Sequence, residues 1–471
     1  MKKALLASLF LLAHTAHATT NDINSTLADQ RELALTIYNA DLALVKDQRK
    51  ISLNADINRL AWRDVSARIR PETALLRNIN DAAGIRLLEQ SFDYDLLTPQ
   101  KLLEKNVGNN VTIIKTNPAT GAETRETATL LAANNGVVLK FNDRVETSIN
   151  GRIVYANVPD NLRDQPTLTM SVVANKTASQ NLELSYLTGG LSWRADYVAE
   201  LTSDNKMDLN GWVTISNQSG TSYPNAKLQF VAGDVNLVNP QARPAMAERA
   251  VMSMAKMADA PMAQENLFEY HLYSLGRTTT LNNQQTKQVA LLNAPQISVR
   301  KTLELRGADY YYQGANGDLG QKLKANVYIS FDNKGGSLGI PLPKGIIRIY
   351  QKDSTGNAQF IGEDSIDHTA KNDTVRLKLG EAFDVYADKK QTDFQKIAAT
   401  RNSYESAYQI TLHNAKTTPV TVNVFEPIPG DWSILNESQT HTKPNANTAM
   451  WTVTIPAEGL TTLTYRVRVK F

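Results

Sequence analysis

The chain has 471 residues, of which 42% are hydrophobic, 7% aromatic and 21% charged, with 24 glycines and 17 prolines. That balance excludes a collagen-like, low-complexity or wholly disordered chain and predicts roughly two or three folded domains. A formal charge of +3 without a clustered basic face argues against nucleic-acid binding, and the absence of cysteine excludes disulfides, a lipidated N-terminal Cys, thiolate metal ligands and thiol nucleophiles.

Lys2 and Lys3 precede an apolar run over 4–13, and Ala16-His17-Ala18 then supplies a small-x-small cleavage site. That order predicts a signal peptide over 1–18 cut after Ala18, with an exported mature chain starting at Thr19 in the periplasm. The apolar run is too short to span a bilayer. No later run approaches the roughly 18 apolar residues of a span, so no transmembrane helix is expected after cleavage.

Beyond the leader, apolar and polar residues alternate with period two, and β-branched or aromatic side chains take one face. An N-terminal β domain is expected over 19–165, with clear strands at 42–51 and 111–115. One short helix is expected at 99–105, where Thr98 can cap the free amides, Pro99 fits the first position and Gly108 ends it. The rest, 166–471, reads as one or more β domains including at least one β-sandwich. Its strands fall at 167–173, 182–187, 193–201, 211–216, 325–331, 346–350, 408–412, 419–425 and 460–471. A second short helix is conceivable at 392–400. The fold class is therefore all-β, as tandem β domains, with Trp62, Trp193, Trp212, Trp432 and Trp451 expected in cores.

One local pattern recurs: an alternating strand ends in Asn, a short polar turn follows, and a new strand begins. The residues are Asn175, Asn217, Asn333 and Asn414, and Asn suits such a position because its side chain bonds nearby backbone. Their unequal spacing excludes a solenoid or propeller repeat and suits Greek-key sandwiches. The stretch 239–266 breaks the pattern, being rich in Met, Ala and Pro, and reads as a surface insertion with little strand character, after which the strand register resumes at 267–275.

Candidate chemistry is sparse. Gly335-Gly336-Ser337-Leu338-Gly339 has the spacing of a hydrolase nucleophile elbow, but Ile340-Pro341-Leu342-Pro343 follows where a helix is required. His271, His368, His413 and His441 show no zinc spacing. Glu363, Asp364, Asp367 and His368 form the densest ligand-capable cluster, yet strand alternation sends them to opposite faces. The sequence thus assigns no catalytic, cofactor-binding or metal residue and no cofactor. The C-terminal alternation of Leu463, Tyr465, Val467, Val469 and Phe471 fits either a sandwich strand or the last strand of an outer-membrane β-barrel.

Several stretches carry a resemblance: Tyr38-Asn39-Ala40-Asp41-Leu42-Ala43-Leu44-Val45, Tyr94-Asp95-Leu96-Leu97-Thr98-Pro99, Leu191-Ser192-Trp193-Arg194-Ala195-Asp196-Tyr197, Pro341-Leu342-Pro343-Lys344-Gly345 with Arg348-Ile349-Tyr350, and Gly362-Glu363-Asp364. On these residues the chain resembles bacterial envelope proteins with the domain of unknown function 4139, a mucoidy-inhibitor-like superfamily, here without its coiled coil. Ala195 stands where those relatives carry Pro, and Tyr223 where they carry Trp. The resemblance implies a fold family and an envelope address, and no defined chemistry. The expectation is an exported, non-enzymatic β-domain protein that binds an envelope protein or a glycan. The rivals are a metal-dependent or hydrolytic envelope enzyme and an outer-membrane β-barrel.

Overall fold

The computed structural model describes residues 22–93, 95–134, 136–159, 162–202, 205–233, 235–236, 262–397 and 402–471. The structure is 65% strand and 4% helix, and its sheets do not close into a barrel, so the all-β class holds and the barrel rival is set aside. Among the described residues no helix is long and apolar enough to cross a membrane. The expected signal peptide with its Ala18 site, and most of the Met-rich stretch, lie outside the described residues.

The chain divides into two compact units. The first takes the described residues up to Ser192 together with Ser216–Phe230 and Arg277–Thr286. In it, Ile23–Ser25, Asp56–Arg63, Thr167–Ala174 and Ile85–Asp93 form one sheet in that order. Tyr223–Ala232, Gln30–Tyr38, Ala43–Leu53, Ala178–Thr188 and Leu75–Asn78 follow one another in a second sheet. A third, five-stranded sheet surrounds a small core of Val111, Ile113, Ala128, Leu130, Leu139 and Phe141, onto which Leu103 packs from the helix Pro99–Lys105. That helix begins as expected, with the Thr98 hydroxyl accepting from the Lys101 amide at 3.1 Å. Its end comes at Asn106, whose Nδ2 donates back to the Leu102 carbonyl at 2.7 Å.

Alternation needs a partner for any polar group that falls on the buried face. Arg49 is such a case: its guanidinium donates to Asp47 Oδ2 at 2.7 and 2.9 Å, to Ser25 O at 2.8 Å and to Arg63 O at 2.8 Å, and its Cζ lies 4.7 Å from the centre of the Trp62 ring.

The second unit holds two sheets. Gln285–Ser298, Lys206–Asn217, Leu191–Leu201, Gly345–Lys352 and Ala358–Ile366 form the first in that order. The second has nine strands: Asp431–Glu437, Gly459–Lys470, Ser403–Asn414, Thr374–Lys396, Asp318–Asp332, Arg300–Arg306, Val420–Pro427, Thr448–Ile455 and Thr442–Asn445. This sheet folds over itself. Tyr465, from its second strand, stacks on Trp451, from its eighth, at 4.6 Å, and both belong to one buried core with Leu463, Val467 and Val469. From Leu463 to Val469 the C-terminal alternation is thus a sandwich strand with its apolar face inward, while Phe471 is 45% exposed.

Three of the four strand-ending asparagines perform the same task. Asn217, Asn333 and Asn414 are buried, and each Nδ2 donates to backbone carbonyls on both sides of a turn: Thr221 and Asn282, Ile340 and Ala370, Thr418 and Pro456, all at 2.7 to 3.0 Å. Each Oδ1 accepts an amide from the same turn: Ser219, Gly339 and Lys416. Asn175 departs from the set: it is exposed and reaches only Ala83 O.

Three expectations are corrected. The helix at 392–400 is absent over its described part: 392–396 continue the strand Thr374–Lys396, because Phe394 stacks on Tyr404 of the paired strand at 5.6 Å. The end of the supposed insertion is also strand, Met262–Leu267, paired with Tyr270–Leu275, and Met262 is buried. Four tryptophans fill cores, but Trp212 is 37% exposed, since it falls on the outward phase of Lys206–Asn217.

Candidate functional site

Two of the resembling stretches meet side by side. Leu191–Leu201 runs parallel to Gly345–Lys352, with Ala195 opposite Gly345, and Ala358–Ile366 joins antiparallel with Glu363 opposite Arg348. A polar ladder crosses this sheet strand by strand. Gln288 donates to Thr214 at 3.0 Å, Thr214 to Asp196 at 2.6 Å, Arg348 to Asp196 at 3.1 Å, and Arg348 pairs with Glu363 at 3.2 Å. Arg194 adds a further bond to Asp196 at 3.1 Å. Burial pushes the Asp196 carboxyl up, but the Thr214 hydroxyl and the two arginines more than offset it and hold it below the usual carboxylate range. The ladder ties neighbouring strands together through Asp196, whose two carboxylate oxygens are taken by Thr214, Arg194 and Arg348.

Tyr197 and Tyr273 read the Pro-Leu-Pro stretch, donating to the Pro343 carbonyl at 2.8 Å and the Pro341 carbonyl at 2.9 Å. Ser337 sits in a turn closed by Leu338 N to Gly335 O at 2.9 Å and pinned by Asn333, and no helix follows it. The acidic cluster is dispersed. Glu363 goes to Arg348, Asp364 accepts from the Lys378 amide at 2.7 Å, and His368 Nδ1 accepts from the Lys344 amide at 3.2 Å. Asp367 presents its backbone carbonyl to the Thr369 hydroxyl. Among the described residues no group of three His, Asp or Glu is placed to hold a metal ion.

The exposed chemistry lies elsewhere, on the outward face of the nine-stranded sheet. Pairing sets Tyr386 opposite His413, Asp388 opposite Thr411 and Lys390 opposite Gln409. The Tyr386 and His413 rings stack at 4.7 Å with 10° between their planes. His413 is a shared wall between two hollows. One, of about 600 Å³, is lined by Asp318, Asp388, Lys389, Lys390, Gln391, Gln409 and Thr411. The other, of about 490 Å³, is lined by Tyr386, Asn414, Glu458 and Leu460. His413 Nε2 stands 3.2 Å from Asp388 Oδ2 without an aligned hydrogen bond, while the Lys322 amide holds Asp388 Oδ1 at 2.8 Å.

Beneath this face the strand turns a charge inward. Lys389 is 2% exposed and pairs with Glu426, which also accepts from the Tyr312 hydroxyl at 2.8 Å. Tyr312 meets the Tyr465 hydroxyl at 2.8 Å, and the Lys389 ammonium lies 4.2 Å from the Tyr311 ring centre. Desolvation lowers the Lys389 pKa, against the pull of Glu426. Burial raises Tyr312 and Tyr465 well above the usual phenol value, helped by the Glu426 charge. Gln391 links the layers: its Nε2 donates to Gly314 O at 3.1 Å and to the Tyr408 hydroxyl at 3.2 Å. Sequence reasoning missed this site. The available signal was Lys389 itself, a charge at an inward position of an otherwise regular alternation.

No curated protein matches the chain. The stretches at 191–197, 341–350 and 362–364 all fall inside residues 182–471, which the family model of the domain of unknown function DUF4139 matches. That match covers more than half of the 471 residues, and the chain belongs to the DUF4139 family.

Proposed function

We propose that this protein is exported to the periplasm, loses residues 1–18 after Ala18, and acts there as a non-enzymatic binding protein that holds an envelope partner on the outward face of its C-terminal sandwich. The ordered leader of Lys2, Lys3, the apolar run and Ala16-His17-Ala18 supports the address. The stacked Tyr386 and His413, flanked by two hollows of mixed lining, carry the binding reading. Rings and polar groups held open to solvent on rigid strands suit recognition. The test is a pull-down from crosslinked envelopes with the mature chain and with a Tyr386→Ala/His413→Ala variant as bait. A partner retained by the first and lost by the second is expected; identical capture by both contradicts the reading.

A further inference from the structure

We infer that Asn150 is a site of spontaneous covalent modification, where the Gly151 amide closes on the Asn150 side chain, water opens the ring to isoaspartate, and the five-stranded sheet loosens as a result.

The chemistry needs only these two residues and water. The Gly151 nitrogen bonds to the side-chain carbonyl carbon of Asn150, the Cγ–Nδ2 bond breaks, and ammonia leaves carrying the amide proton. Water then adds to one of the two carbonyls of the cyclic imide. Opening at the main-chain carbonyl leaves the chain running through the former side chain, one methylene longer and with one new carboxylate. Glycine favours the closure because no Cβ shields its nitrogen. Closure also requires the asparagine to leave regular backbone geometry, so a pair locked in a sheet or a bonded turn reacts slowly.

Asn-Gly occurs at 135–136, 150–151, 210–211 and 316–317, and the asparagine of the first lies outside the described residues. Asn210 lies inside the strand Lys206–Asn217, its Oδ1 accepts from Asn293, and a Cβ on Gly211 would sit 3.0 Å from Leu292. Asn316 is held twice: its own amide donates to Gln391, and its Nδ2 donates to the Gly314 carbonyl at 3.1 Å. The Gly317 carbonyl in turn accepts from the Gln391 amide at 2.9 Å. Asn150 is exposed and lies outside any strand, and among the described residues neither its side chain nor the Gly151 amide has a hydrogen-bond partner.

Its place in the fold gives the modification a consequence. Residues 147–151 carry the chain from Val145–Glu146, at one edge of the five-stranded sheet, to Arg152–Val154 at the other. On either side of Asn150, Ile149 and Ile153 pack on the core of Val111, Ile113, Ala128, Leu130, Leu139 and Phe141. Gly151 lies flat on the partner strand, where a Cβ would sit 2.5 Å from the Ile114 carbonyl oxygen. An extra methylene between these anchored points displaces Ile149 or Ile153, and a close-packed core responds to changes of that size.

The experiment incubates the mature full-length chain in warm, mildly alkaline buffer and follows it by peptide mapping, with an isoaspartyl-specific carboxyl methyltransferase as the probe that separates isoaspartate from aspartate. Conversion at Asn150 should run about tenfold or more faster than at Asn210 or Asn316. Hydrogen exchange at Arg152–Val154 and Asn110–Thr116 should then quicken in the aged protein. It should stay slow in aged Asn150→Gln, and in fresh Asn150→Asp, which adds the charge without the methylene. Equal conversion at the three positions, or an unchanged Asn150, overturns the site. Faster exchange in aged Asn150→Gln, or none in the converted wild type, overturns the loosening.

Discussion

Gly345 lies against Ala195 so closely that a Cβ on the glycine would sit 2.3 Å from the Ala195 carbonyl oxygen. The contact joins the two resembling stretches at the point where their parallel strands begin to pair. Backbone cannot yield there as a flexible side chain could. Gly345→Ala should therefore cost about 1–3 kcal/mol, read as a lower urea midpoint. Gly276→Ala, where a Cβ meets nothing within 4 Å, should stay within about 0.5 kcal/mol.

The buried Lys389–Glu426 pair makes a sharper test. Lys389→Met strands a carboxylate with 1% side-chain exposure among tyrosines, and should cost about 3–5 kcal/mol. Gly307 packs on that carboxylate, with a Cβ position 2.3 Å from Oε2, so the side chain has little room to swing out. The double variant Lys389→Met/Glu426→Leu removes both charges and should recover much of the loss. Denaturant titration of the three proteins decides it: equal losses in the single and double variants would mean that packing, not the unpaired charge, sets the cost.

Much of the fold was legible because period-two alternation records which face is buried. The run at 182–187 lies inside Ala178–Thr188, and that at 408–412 inside Ser403–Asn414. The helix at Pro99–Lys105 followed from its cap. What misled was composition: Gln395 and Lys396 favour helix, yet cross-strand pairing with Ser403–Asn414 overrides that weak preference. The proposed binding face was not legible, because Asp318, Tyr386 and His413 come from three strands whose adjacency depends on pairing.

The strand-ending asparagines were legible as a pattern, and the structure adds which of them matter. Asn414→Ala leaves the Thr418 and Pro456 carbonyls without their side-chain donor and should cost about 2 kcal/mol or more. Asn175→Ala, at the exposed member, should change stability by no more than about 0.5 kcal/mol. Equal effects at the two positions, measured by thermal unfolding, would remove the distinction drawn between them.

Asp196 sets an acid limb. Its carboxyl is held below the ordinary range in the fold, so its contribution is complete above the unfolded value of about 4 and disappears as pH falls through the lower folded value. Urea midpoints measured from neutral to acid pH should fall more steeply for the wild type than for Asp196→Asn. Parallel pH profiles would show that the Thr214–Asp196–Arg348 ladder does not depend on the charge.

The claim that the Tyr386–His413 face is where this protein meets its partner is tested most directly by hydroxyl-radical footprinting of the mature chain, alone and with solubilised envelope. Oxidation of Tyr386 and His413 should fall on addition of the extract, while Phe360, 55% exposed on another sheet, should oxidise as before. Unchanged oxidation of Tyr386 and His413, with shielding at some other surface, would contradict the account.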